Sequence, residues 1–182
     1  MLGTASNFVP WFFGTGYEKV IPLIGILGFL ILAIGINNVT GMQYLIPTKR
    51  QNLFTMTVLI GAGVNFVLNL VLIHFFQSIG AAIASVAAET TIALVQIYIV
   101  RKELSPKTIF ISSWHYLVAG GMMLALLKFM GEAFTPSIIH TVIMVICGAI
   151  LYFIILLIFK DSFFLDNVRN IMGKIQAKAK RG

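Results

Sequence analysis

Five long apolar runs alternate with short polar connections along the chain: Val20–Ile46, Phe54–Phe76, Ile79–Val100, Ile109–Met130 and Ile138–Phe159. A hydrocarbon core of about 30 Å takes about 20 helical residues at about 1.5 Å each, so each run predicts a helix that crosses a membrane. The fourth is the weakest, because Ser112, Ser113, Trp114 and His115 occupy its start and its apolar heart is Tyr116–Phe129. The first is the longest and carries Pro22, Gly25, Gly28, Gly35 and Gly41. A membrane helix tolerates such breakers when neighbours complete its backbone bonding, and the excess length predicts tilt or an end projecting into water. The runs lack the alternation of a lipid-facing strand, which leaves helices as the spanning form. The predicted fold class is all-α, a polytopic membrane bundle of five transmembrane helices.

The connections give the bundle its order. Residues 3–16 read as a loop outside the membrane, with Trp11, Phe12 and Phe13 as an interfacial aromatic cluster. A tight link near Phe76–Gly80 makes the second and third spans an antiparallel hairpin. Ser105-Pro106 marks the turn before the fourth span, and Gly131–Pro136 joins the fourth to the fifth. Gly120-Gly121 suggests close packing of the fourth helix. Beyond the last span, Phe164, Leu165, Val168, Ile171, Met172 and Ile175 recur at three- and four-residue steps. That is the stripe of an amphipathic helix lying on an anionic leaflet. The single cysteine, Cys147, lies inside a span, where it is expected to pack as a small apolar residue.

Composition agrees with this pattern: 59% of the residues are hydrophobic and 10% charged, against about 25% charged in an ordinary soluble domain. The net charge of +7 does not point to nucleic acid, because the basic residues are sorted by topology. Lys49, Arg50, Arg101, Lys102 and Lys107 fall on one side of the bundle with Lys160, Arg169, Lys174, Lys178, Lys180 and Arg181; only Lys19 and Lys128 fall towards the other. The positive-inside rule makes the basic side cytoplasmic, with the N-terminus outside and the C-terminus inside. Residues 1–19 contain no secretory signal that would place an outside N-terminus. The expectation is therefore that the chain is the C-terminal part of a longer membrane protein.

Polar residues inside the spans carry the candidate chemistry. Glu89 stands near the middle of the third span with no other charge within ten residues on either side. A carboxylate at that depth costs a few kcal/mol unless it meets a cavity or a partner. Ser85 and Gln96 share its helical face, so the three form a polar stripe. Two readings stand: the stripe lines a wet cavity and Glu89 meets a substrate group, proton or cation, or Glu89 bonds neighbouring helices and holds the bundle. Asn65 and Asn69, four residues apart and one turn from Gly61, put two carboxamides on one face of the second span, and bonding across helices is the favoured reading there. Asn37, with Asn38, Thr40 and Gln43 in the inner half of the first span, can meet both faces around a shared space. Paired carboxylates, a Ser/His/Asp set, metal-ligand spacing and a phosphate-binding glycine loop are all absent from the sequence, so neither an enzyme nor a cofactor is expected.

Four stretches carry a resemblance: NFVPWFFGTGYEKVIPLI at 7–24, GMQYLIPTKR at 41–50, NFVLNLVLIHFFQSIGAAIASVAAE at 65–89 and IALVQIYIVRK at 92–102. In order and spacing the region from Asn7 to Lys102 resembles the C-terminal part of bacterial polysaccharide flippases. These are the polysaccharide transporters of the multidrug/oligosaccharidyl-lipid/polysaccharide exporter superfamily. Residues 103–182 resemble them mainly in hydropathy. The resemblance implies a fourteen-helix, two-lobe transporter of which this chain holds the last five helices. Residues 1–108 would finish the second lobe, 109–160 would be an appended helix pair, and 161–182 a basic cytoplasmic tail. It also implies a bacterial cytoplasmic membrane, an undecaprenyl-diphosphate-linked oligosaccharide as substrate, and the missing N-terminal portion of the same transporter as partner. Within it Ser85, Glu89, Gln96, Asn65, Asn69 and Asn37 become candidate cavity residues. The alternatives are a cation-coupled exporter of the same superfamily and a non-transporting membrane anchor subunit.

Overall fold

The structure, a computed structural model, describes residues 2–104 and 106–159. Every regular element among them is helical: a 3₁₀ turn Leu2–Thr4, α1 (Ala5–Phe13), α2 (Val20–Asn37) running into π-helical turns Asn38–Leu45, α3 (Gln51–Val100), α4 (Pro106–Ala133) and α5 (Ile138–Ile158). Four of these helical stretches are long and apolar enough to cross a membrane. The longest, the 50-residue α3, departs from helical geometry at Gln77 (φ 52°, ψ −125°). The chain reverses there, and the two arms of α3 are the expected second and third spans. At half of α3 apiece, each arm is ~37 Å long at helical rise, sufficient for the hydrocarbon core. The chain is a multi-pass membrane protein. Its surface agrees, since Phe29, Ile31, Leu59, Phe66, Leu70, Leu94, Phe129 and Ile158 are all more than half exposed, as suits a solvent that is itself apolar.

The α3 hairpin is drawn tight by small residues. A Cβ on Gly80 would lie 2.1 Å from the carbonyl oxygen of Leu72, and one on Gly61 would lie 2.3 Å from Ile92. Any larger side chain at either position would push the arms apart. Thr57 and Gln96, further along, are joined by a hydrogen bond, so the two arms stay in register over most of their length. α2 packs on this hairpin, while α4 and α5 pack on each other.

Residues 3–16 depart from the expected outer loop. They hold the end of the 3₁₀ turn, α1 and a short turn in which Gly14 (φ 83°) and Gly16 (φ 96°) supply positive φ, a conformation that costs glycine little. Leu2 fits against Gly28 of α2, and Gly3 against Leu127 of α4. Ala5, Asn7 and Val9 are buried. The loop reading took its aromatic cluster for an interfacial anchor and missed that small and polar residues ahead of the cluster, Thr4, Ala5 and Asn7, face protein. Val9 and Asn7 are buried while Phe12 and Phe13 are exposed. This N-terminal segment touches α2 on one side and the α4–α5 pair on the other.

Asn7 makes the strongest tie. Its carboxamide nitrogen donates to the carbonyls of Phe134 and Thr135 at 3.3 and 3.1 Å, just past the end of α4. Its oxygen accepts from the backbone N–H of Ser137 at 3.3 Å and from the Thr141 hydroxyl at 2.9 Å, at the start of α5. Helix ends leave such groups without internal partners, and Asn7 caps two ends at once. Trp11 adds a bond from its indole nitrogen to Thr141 at 2.8 Å. By contrast, Gly120 and Gly121, expected at a close helix contact, have open space where a Cβ would stand. The close approach in this pair is at Gly148, against Leu127 and Met123. The proposed amphipathic stripe at 164–175 lies outside the described residues.

Candidate functional site, a polar cleft at mid-membrane

A cleft of about 650 Å³ opens between α2 and the two arms of α3. Its apolar walls include Leu30, Ile34, Val58, Phe66 and Ile92, and its polar groups are Asn65 and Asn69 on the first arm and Ser85 and Glu89 on the second. The helical periodicities that put Asn65 and Asn69 on one face and Ser85 and Glu89 on another therefore converge once the hairpin closes at Gln77. Four of the six candidate residues share this space.

Asn37, the fifth, stands behind it. Its carboxamide nitrogen donates both to Glu89 Oε2 and, at 3.2 Å, to the Glu89 backbone carbonyl. One side chain of α2 thus fixes both the rotamer of the carboxylate and the turn of helix that carries it. In lipid such bonding offsets part of the cost of a buried acid. Glu89 both bonds a neighbouring helix and lies on the cleft wall.

Asn65 and Asn69 do not join helices. The bond they make is to each other, from Asn69 Nδ2 to Asn65 Oδ1 at 2.6 Å along one turn. Both remain on the cleft wall because α2 stands off from this part of α3. Asn69 Oδ1 is buried without a partner, as is Asn37 Oδ1. Unpaired acceptors of this kind are rare in native structures, and both occur at or directly behind this cleft.

Gln96 is placed elsewhere. It is fully buried (0% exposed), accepts from the Thr40 hydroxyl at 2.6 Å and donates to Thr57 Oγ1 at 3.0 Å. Thr57 in turn donates to the carbonyl of Phe54 at 2.7 Å. Every group in this relay has a partner, so Gln96 is glue between α2 and both arms of α3 and does not line the cleft. Two turns along the helix from Glu89, it shares the predicted stripe but meets a packed floor. The relay coincides with the π-helical turns Asn38–Leu45. Gly41 in those turns is pressed against Phe54 and Gln96, where a Cβ would come within 2.7 and 3.0 Å. π-Helical turns are rare and often found at functional positions. Asn38 and Gln43, grouped in the sequence with Asn37 and Thr40, are exposed away from the cleft.

At the end of the bundle nearest this relay, Arg50 Nη1 lies 2.7 and 2.8 Å from the two carboxylate oxygens of Glu103, which also accepts from the Tyr44 hydroxyl. This clasp joins the end of the π-helical turns to both ends of α3. First the Tyr44 hydrogen bond and then Arg50 hold the Glu103 carboxyl below its ordinary pKa, while Glu103 raises that of Arg50. Sequence reasoning missed the clasp because Tyr44, Arg50 and Glu103 lie in three separate segments. Among the described residues no group of three His, Cys, Asp or Glu side chains could hold a metal ion.

Comparison of the chain with protein-family models, with curated proteins and with solved structures finds no match.

Proposed function

We propose that this chain forms one wall of the transport cavity of a flippase that carries lipid-linked oligosaccharide repeat units across a bacterial cytoplasmic membrane. The observation that carries the reading is the cleft: a space of about 650 Å³ with a carboxylate, two carboxamides and a hydroxyl at mid-span of helices that are otherwise apolar. Such groups are expensive in lipid and are retained where a polar solute or water must pass. The resemblance of residues 7–102 to polysaccharide flippases supports the same reading and supplies the substrate class. In this reading the Arg50–Glu103 end, with Lys49, Arg101 and Lys102, faces the cytosol, in line with the positive-inside rule. The sugars cross through the wet space while the polyprenyl tail stays in lipid, and rocking of helical lobes exposes the space to each side in turn.

Cells lacking the protein should accumulate lipid-linked repeat units on the cytoplasmic leaflet and lose surface polysaccharide. Restoring it with Glu89→Gln should recover export less well than restoring it with Glu132→Gln, since Glu132 does not line the cleft. Equal recovery by the two variants would remove Glu89 from the transport path. One observation favours a second reading, a cation-coupled exporter of the same superfamily: Glu89 shares its cleft with the oxygens of Asn65, Asn69 and Ser85. Export that requires Na⁺, and loses that requirement in Glu89→Gln, would select it.

A further inference from the structure

The electrostatics of the cleft wall narrow the class of sugar it can meet. Among the described residues that line it, Glu89 is the one charged group, and no Lys or Arg accompanies it. Part of the donor capacity nearby is spent within the wall. Asn37 gives its carboxamide hydrogens to Glu89, and Asn69 gives one of its own to Asn65. Acceptor capacity is left on Glu89, which accepts from Asn37 alone among the described side chains, and the free groups beside it, the Asn65 amide nitrogen and the Ser85 hydroxyl, are neutral. A wall of neutral amide and hydroxyl groups whose one charge is negative suits a ligand of hydroxyls and ammonium groups. A carboxylate, sulfate or phosphate brings further acceptors and a like charge into a space walled by hydrocarbon, where screening by water and salt is weak.

We propose that this wall selects neutral or amino sugars and excludes sugars that carry acidic groups, with Glu89 as the residue that sets the exclusion. The proposal rests on the transport reading and adds a specificity to it. It follows that the diphosphate of a lipid-linked substrate is not held against this wall; the sugar portion is.

The test uses the protein in lipid nanodiscs, with Cys147→Ser removing the native thiol and Phe66→Cys placing one on the cleft wall. An uncharged maleimide labels that position, and soluble glycans compete. Maltotetraose and a glucosamine tetramer should slow labelling, whereas a galacturonic acid tetramer should need at least about tenfold higher concentration for the same protection. Glu89→Gln should bring the galacturonic acid tetramer to the concentration of maltotetraose. Asn65→Lys, which adds a cation to the wall and leaves the Asn37–Glu89 bond in place, should do the same or reverse the order. Equal protection by all three glycans in the unmodified cleft, or an exclusion that survives both substitutions, would overturn the specificity and leave the transport reading standing. Protection by none of them would overturn the reading of the cleft as a sugar path, and the specificity with it.

Discussion

The α2–α3 unit and the α4–α5 pair are both built from apolar helices in the same solvent, yet different chemistry holds them. In α2–α3 the polar groups are deep in the spans: Asn37 on Glu89, Thr40 and Thr57 on Gln96, Asn65 on Asn69. In α4–α5 close apolar contacts lie inside the spans, with Gly148 against Leu127 and Ala119 clustered with Ile155 and Leu156. Its polar knot, Asn7, is at the turn, where helix ends need partners in any case. Two helices can therefore associate in lipid through small residues and dispersion contacts, and deep polar groups are not required for it. Where they are kept, as around Glu89, packing alone does not account for them.

The largest effect should come from the α3 hairpin. Gly80→Leu would force a side chain into the Leu72 carbonyl, a clash with backbone that no rotamer relieves. Overpacking of that kind costs about 3 kcal/mol or more when the backbone has to move. Detergent-solubilised protein should lose its cooperative thermal transition or melt far lower. Gly120→Ala, in open space on α4, should leave the melting temperature unchanged or slightly raised, because alanine favours the helix. An equal response at both sites would erase the distinction between the two regions.

A matched pair of polar removals comes next. Asn7→Leu strips partners from Phe134, Thr135, Ser137 and Thr141, and Gln96→Leu strips them from Thr40 and Thr57. Each should cost about 1 kcal/mol or more through the hydrogen bonds lost, while Thr40, Thr57 and Thr141 keep bonds to nearby backbone carbonyls. The consequences should differ in place. Asn7→Leu should increase cysteine labelling around the α4–α5 turn and leave Phe66→Cys labelling alone, whereas Gln96→Leu should change labelling in the cleft above it. Crossed effects would mean that the two regions respond as one body.

Much of this division was legible in the residues. Run lengths gave the five crossings, and the short link near Phe76–Gly80 gave the hairpin, because a tight reversal between two apolar helices leaves few other arrangements. The convergence of Asn65, Asn69, Ser85 and Glu89 followed from helical periodicity once the hairpin was assumed. What could not be read was depth along a shared face. Gln96 lies on the Glu89 stripe, but only the placement of Thr40 on the π-helical turns shows that its end of the stripe is closed. Nor could residues 3–16 be recognised as packed helix. The segment is too short to span and Phe12 and Phe13 face outward, so the informative residue was the buried Asn7, whose partners lie some 130 positions away.

The smallest effect belongs to the clasp of Tyr44, Arg50 and Glu103, and its sign can be worked out. The Glu103 carboxyl is held below the ordinary carboxylate value by Tyr44 and Arg50, so its contribution is complete above that ordinary value, about pH 4.3, and is lost as pH falls through the lowered folded value. Arg50 and Glu103 are each more than a third exposed (39% and 38%), which keeps the ion pair weak and open to salt. Glu103→Gln should therefore lower the melting temperature by a small, constant amount between pH 5.5 and 8. The difference from the unmodified protein should close as pH falls through the lowered value of the folded carboxyl, and it should shrink at high salt at every pH. The cleft lies far along the helices from this end, so maltotetraose protection of Phe66→Cys should be the same with and without the substitution. A change in that protection would couple the clasp to the cleft through the π-helical turns between them and make the α2–α3 unit a single lever.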